Sequence, residues 1–97
     1  MVTDNVQETL TRIASRLRTE RLARNEPQAR FAARLGISIP TLRRLEQGDA
    51  TAQIGHWLAA LEVLGRLADT DALLAPRYSL FDAAAEPKTR QRARRRP

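Results

Sequence analysis

The block Gln28–Gly48, QARFAARLGISIPTLRRLEQG, constrains the fold of this 97-residue chain more than any other stretch. Its apolar residues recur at helical spacing on both sides of a Gly-Ile-Ser segment, which predicts two short helices joined by a tight turn. Gly36 can adopt the left-handed conformation that ends the first helix, and Ser38 can cap the second. Pro40 falls in the first turn of the second helix, where its missing N–H costs little. The block therefore predicts a rigid pair of helices.

The two predicted helices bury one side and expose the other. Their buried side carries Phe31, Ala32, Leu35, Ile37, Leu42 and Leu45. A second helix that is held at a steep angle and exposes short polar and basic side chains fits the DNA major groove, which is the geometry of a helix-turn-helix. The candidate base-reading residues are Ser38, Ile39, Pro40, Thr41, Arg43 and Arg44.

These candidates have distinct chemical roles. Arg43 and Arg44 can pair with guanine edges, and Ile39 or Pro40 can touch a thymine methyl group. The alternative for the two arginines is a purely solubilising charge. Phosphate contacts are expected from the N–H groups that begin the first helix of the pair and from four side chains. These are Gln28, Arg30, Arg34 and Gln47.

Helical periodicity extends beyond the block in both directions. A first helix is predicted over residues 5–24, capped by Asp4. Its apolar stripe is Val6, Leu10, Ile13 and Leu17. A fourth helix is predicted over 52–64 with Thr51 as its cap, and a short fifth helix over 69–75. We therefore expect an all-α bundle of five helices in a DNA-binding domain over residues 1–76.

The last part of the chain has a different composition. Arg77–Phe81 is expected to form a short strand or an extended arm, and the small, charged stretch from Ala83 onward is expected to be disordered. Together residues 77–97 make the predicted arm and basic tail. Three interpretations of the tail arginines remain open: a solubilising end, a non-specific nucleic-acid arm, or a segment that orders on a protein partner.

Charge is strongly segregated along the sequence. Residues 12–44 carry nine arginines against two glutamates, residues 45–85 carry an excess of acid, and residues 86–97 are basic again. Such segregation suggests one face for a polyanion and another for a different partner. The absence of cysteine excludes a disulfide scaffold and favours a reducing compartment. The polar N-terminus and the lack of a long apolar run lead us to expect a cytoplasmic, nucleoid-associated protein without membrane contact.

An enzyme is not expected from these residues. His56 is the only histidine, so neither a metal site nor a histidine-activated nucleophile is indicated. Carboxylates are scattered rather than paired, and a glycine-rich phosphate loop is lacking. We therefore expect no catalytic residue, no cofactor, no metal and no small-molecule substrate.

Residues 13–75 resemble the Cro/repressor-type helix-turn-helix proteins, the XRE family, through the phrases QARFAARLGIS and TLRRLEQG. The resemblance implies a compact, lambda-repressor-like bundle of about five helices in which Gln28 touches the DNA backbone. It also implies that Glu46 pairs with Arg18 or Arg21. The sequence departs from the family where Pro27 replaces the usual Ser or Thr cap and Glu26 replaces an apolar residue.

The segment ALEVLGRL, followed by LLAP, SLFD and an arginine-rich end, is similar to HipB-type antitoxins. This resemblance implies a homodimer that binds double-stranded operator DNA, represses its own operon and holds a cognate HipA-like kinase toxin. The alternatives are a stand-alone phage-like or regulatory repressor, and a protein-interaction adaptor whose helix-turn-helix no longer reads DNA.

Overall fold

The computed structural model describes residues 1–77, in which four α-helices are followed by a 3₁₀ helix. The helices are α1 (Asp4–Ala23), α2 (Gln28–Leu35), α3 (Ile39–Glu46), α4 (Ile54–Val63) and the 3₁₀ helix Leu67–Ala72. This confirms the expected all-α bundle of five helices. The predicted strand or arm lies outside the described residues except for Arg77, which has no regular structure, and the predicted disordered tail lies outside them entirely. Among the helices of residues 1–77, none combines the length and the apolar character that a membrane span requires.

The N-terminus of α1 is capped one residue earlier than predicted. The Thr3 side-chain oxygen accepts a hydrogen bond from the Val6 backbone N–H at 3.1 Å, so Thr3 is the cap and Asp4 is the first helical residue. Asp4 still lies in the first turn, where a carboxylate interacts favourably with the helix dipole. The prediction that Asp4 caps α1 is therefore wrong. Thr3 and Asp4 are both residue types that cap helices, and Thr3 is the one with the extended backbone that a cap requires.

The core is small and centred on α2 and α3. Its fully buried large side chains are Phe31, Leu42 and Leu45. The predicted apolar stripe of α1 is only partly buried: Leu17 is 3% exposed, whereas Val6 is 44% exposed. The reason is length, because α1 has 20 residues and its partner α3 has 8, so the first turns of α1 extend beyond the core.

All four α-helices end in the same hydrogen-bonded arrangement, in which a residue with positive φ follows the last turn. The four residues are Asn25, Gly36, Gly48 and Gly65. In each case the N–H of the next residue reaches back five residues, as in Ile37 to the Ala32 carbonyl at 3.0 Å and Asp49 to the Arg44 carbonyl at 3.0 Å. This Schellman arrangement satisfies carbonyls that would otherwise lack partners at each helix end.

The Asp49 side chain stabilises the turn that connects α3 to α4. The Asp49 carboxylate accepts hydrogen bonds from the Thr51 backbone N–H at 2.8 Å and the Thr51 hydroxyl at 2.7 Å. These two hydrogen bonds, the hydroxyl first, lower the pKa of Asp49. The prediction that Thr51 caps α4 is wrong, because α4 begins at Ile54, and Gln53 precedes it without a side-chain cap.

The last helix is earlier and tighter than predicted. It spans Leu67–Ala72 as a 3₁₀ helix instead of residues 69–75, and Arg66 anchors it by donating to Asp69 at 2.9 Å and to Glu20 of α1 at 3.1 Å. The hydrogen bond from Arg24 and the charges of Arg24 and Arg66 lower the pKa of Glu20. This cluster of exposed ion pairs ties the end of α1 to the 3₁₀ helix.

Gly48, just after α3, lies against the backbone of α1 at Thr11, so the effect of an added methyl group there can be predicted. A Cβ at Gly48 would lie 3.0 Å from the Thr11 Cα and N, whereas one at Gly36 would meet nothing within 4 Å, and both residues have a φ of +74°. Gly36→Ala should cost about 1–2 kcal/mol for its left-handed backbone alone. Gly48→Ala should cost about 1–3 kcal/mol more, because backbone must move.

Urea unfolding of the two variants beside the wild type measures this difference. Equal destabilisation by Gly36→Ala and Gly48→Ala would show that α1 does not pack against the α3 terminus as described.

Candidate nucleic-acid interface

The turn between α2 and α3 is built from the residues that the sequence indicated. Gly36 adopts the left-handed conformation with φ +74° and ends α2. The Ser38 side-chain oxygen accepts from the Thr41 backbone N–H at 3.2 Å and lies 2.9 Å from the Thr41 hydroxyl, which confirms Ser38 as the cap of α3. Pro40 lies in the first turn of α3. The start of α3 is therefore fixed by local hydrogen bonds.

The C-terminal half of α3 is fixed by apolar burial and by one buried ion pair. Leu42 and Leu45 are fully buried in the core. The next residue, Glu46, receives the Arg21 guanidinium of α1 in a two-pronged contact, at 2.6 Å from Nε to Oε2 and 3.0 Å from Nη2 to Oε1. Both side chains are at most 5% exposed. This confirms the expectation from the family resemblance and selects Arg21 over Arg18 as the partner.

The predicted base-reading residues lie on α3 and its cap, and they differ in how exposed their side chains are. Ser38, Pro40, Arg43 and Arg44 are exposed, whereas Ile39 and Thr41 are half-buried. Ile39 packs against the core cluster, which leaves only part of its surface for a thymine methyl group. The Thr41 hydroxyl contacts Ser38 and also accepts from Arg44 Nη2 at 3.3 Å. The arginines therefore supply most of the exposed donors of this surface.

Gln28 joins the two helices of the pair. Its amide nitrogen donates to Glu46 Oε1 at 3.2 Å, and its amide oxygen accepts from Arg43 Nε at 3.4 Å. The structure therefore brings one predicted phosphate-contact residue next to one predicted base-reading residue. Two other predicted phosphate-contact residues, Arg30 and Gln47, are exposed.

Arg34, the fourth predicted phosphate-contact residue, has a partner inside the protein. Its Nη1 lies 2.7 Å from both carboxylate oxygens of Glu26. Glu26 is buried, and the Arg34 side chain is 49% exposed. The sequence marked Glu26 as unusual for its position without identifying the partner. A glutamate in a buried position with an arginine eight residues later was the available signal, since a buried charge requires a counter-charge.

The rest of residues 1–77 presents no metal site. These residues contain no group of three histidine, aspartate or glutamate side chains that could hold an ion. His56 is half-buried on α4 next to Trp57, which is also half-buried and packs against the core. The exposed polar groups of the candidate interface on α2 and α3 are guanidinium, hydroxyl and amide groups.

Because Glu26 is buried, Arg34→Ala should destabilise the fold by about 2–4 kcal/mol through the unpaired carboxylate. Replacing the carboxylate as well, in Glu26→Leu/Arg34→Ala, should recover most of this loss because no buried charge then remains. Chemical denaturation of the wild type, the single variant and the double variant measures both effects. If Arg34→Ala leaves the free energy of unfolding unchanged, the pair has no structural role.

Comparison with known proteins identifies the family of this chain. A profile described as helix-turn-helix matches residues 17–69, which is more than half of the chain and includes α2, the turn, α3 and α4. Neither the curated proteins nor the solved structures contain a match to this chain. The matched range contains the helix pair, its buried ion pair and its exposed arginines. The chain belongs to the Cro/repressor-type helix-turn-helix family and is a DNA-binding transcription regulator.

Proposed function

We propose that this protein is a sequence-specific repressor that binds double-stranded operator DNA as a homodimer and prevents transcription by occupying the operator. The observation that supports this most strongly is the position of Arg43 and Arg44, which are exposed on a helix whose opposite side is anchored by buried leucines and by Glu46. A recognition helix needs this combination, since rigid attachment gives register and exposed donors read base edges.

Each candidate residue has a proposed role in this complex. Arg43 and Arg44 donate to guanine, Ile39 and Pro40 contact thymine methyl groups, and the hydroxyls of Ser38 and Thr41 hydrogen-bond within the groove. The phosphate contacts come from Gln28, Arg30, Arg34 and Gln47 together with the backbone N–H groups at the start of α2. Arg34 can make such a contact while paired with Glu26, since that pairing occupies only Nη1.

Homodimer formation is supported by exposed apolar side chains outside α2 and α3. Within residues 1–77, α4 and the segment after it expose several large apolar side chains. They are Ile54 at 68%, Leu58 at 37%, Leu67 at 40%, Leu73 at 67% and Leu74 at 101%. A second copy on this surface would bury these side chains and present two α3 helices to half-sites about one helical turn apart.

The proposed biological setting is a type II toxin–antitoxin operon, in which the protein represses its own promoter and neutralises a HipA-like kinase toxin in the cytoplasm. Support comes from the similarity of ALEVLGRL and the phrases after it to HipB-type antitoxins. In this setting residues 1–76 bind DNA, and residues 77–97 are the segment available to the toxin. A stand-alone phage-like repressor is the alternative, and an adjacent reading frame that encodes a kinase would favour the antitoxin.

Binding to the gene's own promoter tests the DNA-reading role. The wild type should prefer this fragment over a scrambled one of equal length at each of several salt concentrations. Arg43→Ala should weaken promoter binding by about 1–3 kcal/mol and relax the choice at one base pair. Arg12→Ala, on an exposed part of α1, is the matched control and should affect both fragments alike.

The competing function is an adaptor that no longer reads DNA. Equal affinity of the wild type for promoter and scrambled DNA, with a steep dependence on salt, would favour it over the repressor.

The dimer surface has its own test. Leu58→Glu should shift the protein toward monomer in sedimentation experiments, because a carboxylate on α4 would be desolvated at the interface. Leu22→Glu is the control, since Leu22 is 47% exposed but lies on α1. A dimer that is unaffected by Leu58→Glu would place the interface elsewhere.

A further inference from the structure

We propose that the buried Glu46 carboxylate is a positioning residue for DNA reading: acting through the Gln28 amide, it holds the Arg43 guanidinium in a fixed orientation before DNA binds. The proposal rests on a line of three successive hydrogen bonds that leads from the core to the surface. It connects Arg21 to Glu46, Glu46 to Gln28, and Gln28 to Arg43. The inference rests on the proposed DNA-binding function, to which it adds a residue that touches no DNA.

The inner end of the line is rigid. Three nitrogens of the Arg21 guanidinium are used: Nε and Nη2 donate to Glu46, and Nη1 donates to the Glu26 backbone carbonyl at 2.8 Å. Glu46 is therefore clamped from α1, and its side chain is 3% exposed. Its Oε1 still has capacity for a further hydrogen bond, which Gln28 donates. The carboxylate thus has a fixed place from which to orient a neighbour.

The chemistry of Glu46 decides which way the Gln28 amide faces. An ionised carboxylate only accepts hydrogen bonds, so the Gln28 NH₂ group must be the end that faces Glu46. The carbonyl oxygen is then turned to the opposite side, toward Arg43, which only donates. Rotation of the amide by 180° would set oxygen against carboxylate and NH₂ against guanidinium. Because the rotated amide would be unfavourable at both of its ends, the orientation of the Gln28 amide is fixed.

The outer end of the line separates Arg43 from its neighbour Arg44. Arg43 is held through Nε, so within residues 1–77 its terminal nitrogens Nη1 and Nη2 make no hydrogen bond. Arg44 instead uses Nη2 to reach Thr41 on its own helix. A two-pronged contact to guanine O6 and N7 needs two N–H groups of one guanidinium. We therefore assign the two-pronged guanine contact to Arg43, whose orientation is set in advance and whose conformational freedom is reduced before binding.

The first test uses the full chain without DNA. The Nε–H group of Arg43 should be more ordered by nuclear magnetic resonance relaxation than those of Arg44 and the exposed Arg30. Gln28→Met, which keeps the side-chain length and the apolar contacts, should reduce the order of Arg43 to the level of Arg30. Glu46→Gln should do the same with Gln28 present, because a neutral amide at position 46 also accommodates the rotated Gln28 amide. If Glu46→Gln does not fold, Gln28→Met decides.

An Arg43 Nε–H group that is as mobile as that of Arg30 in the wild type, or unchanged in Gln28→Met, would overturn the proposal whatever the protein binds.

The second test is a pair of double-mutant cycles on the promoter fragment. Combining Gln28→Met with Arg43→Ala should give non-additive losses of affinity, with a coupling of about fivefold. Combining Gln28→Met with Arg44→Ala is the matched control and should give additive losses, since Arg44 has no contact with Gln28 among the described hydrogen bonds.

Additive losses in both cycles would contradict the positioning role while leaving DNA binding intact. A wild type without preference for the promoter would instead contradict the proposed function, and the relaxation measurement would still decide whether Glu46 positions Arg43.

Discussion

The buried pair between Arg21 and Glu46 is the interaction on which the arrangement of this small domain depends. Within residues 1–77 the largest fully buried side chains are Phe31, Leu42 and Leu45, and apolar contacts of this kind are not directional. The pair fixes one guanidinium against one carboxylate with two directional hydrogen bonds. Such a pair contributes little net stability once desolvation is counted, but removal of one partner is costly and only one register satisfies both. We interpret it as the device that sets the position of α3.

Polar contacts recur where the chain would otherwise be held weakly. Gly48 allows the end of α3 to approach α1 so closely that the Gln7 amide donates to its carbonyl at 2.9 Å. Arg34 neutralises Glu26 beneath the start of α2, and Arg24 donates to the Leu64 carbonyl at the end of α4 at 3.0 Å. A chain of this size buries a modest fraction of its surface, so directional bonds between helices supply much of the specificity that a larger core would provide.

Local features of the fold were predictable from the sequence, and the long-range contacts were mostly not. Gly36 and Ser38 marked the turn correctly because their conformational and capping preferences act within a few residues. The caps of α1 and α4 were placed wrongly. Thr3 and Asp4 have similar capping propensity, and Thr51 donates to Asp49 in the turn instead of capping α4. Val6 belongs to the predicted apolar stripe of α1 but is exposed, because periodicity does not show where a partner helix ends.

The candidate site divides in the same way. Exposure of Arg43 and Arg44 followed from helical spacing, and the pairing of Glu46 with an α1 arginine followed from family resemblance. The hydrogen bonds that separate Arg43 from Arg44 depend on Gln28, which is 15 residues away from Arg43 in sequence. Contacts between residues this far apart in the sequence depend on the angle between two helices, which the sequence pattern does not specify. The proposed difference in function between two adjacent arginines therefore comes from the structure.

The central claim is that α3 lies in the major groove and reads guanine there through Arg43. Methylation interference at guanine N7 on the promoter fragment tests it most directly, because that atom is exposed only in the major groove. The account predicts two clusters of interfering guanines about one helical turn apart, with one guanine in each cluster losing its effect in Arg43→Ala. Binding that is insensitive to guanine N7 methylation throughout the fragment would contradict it.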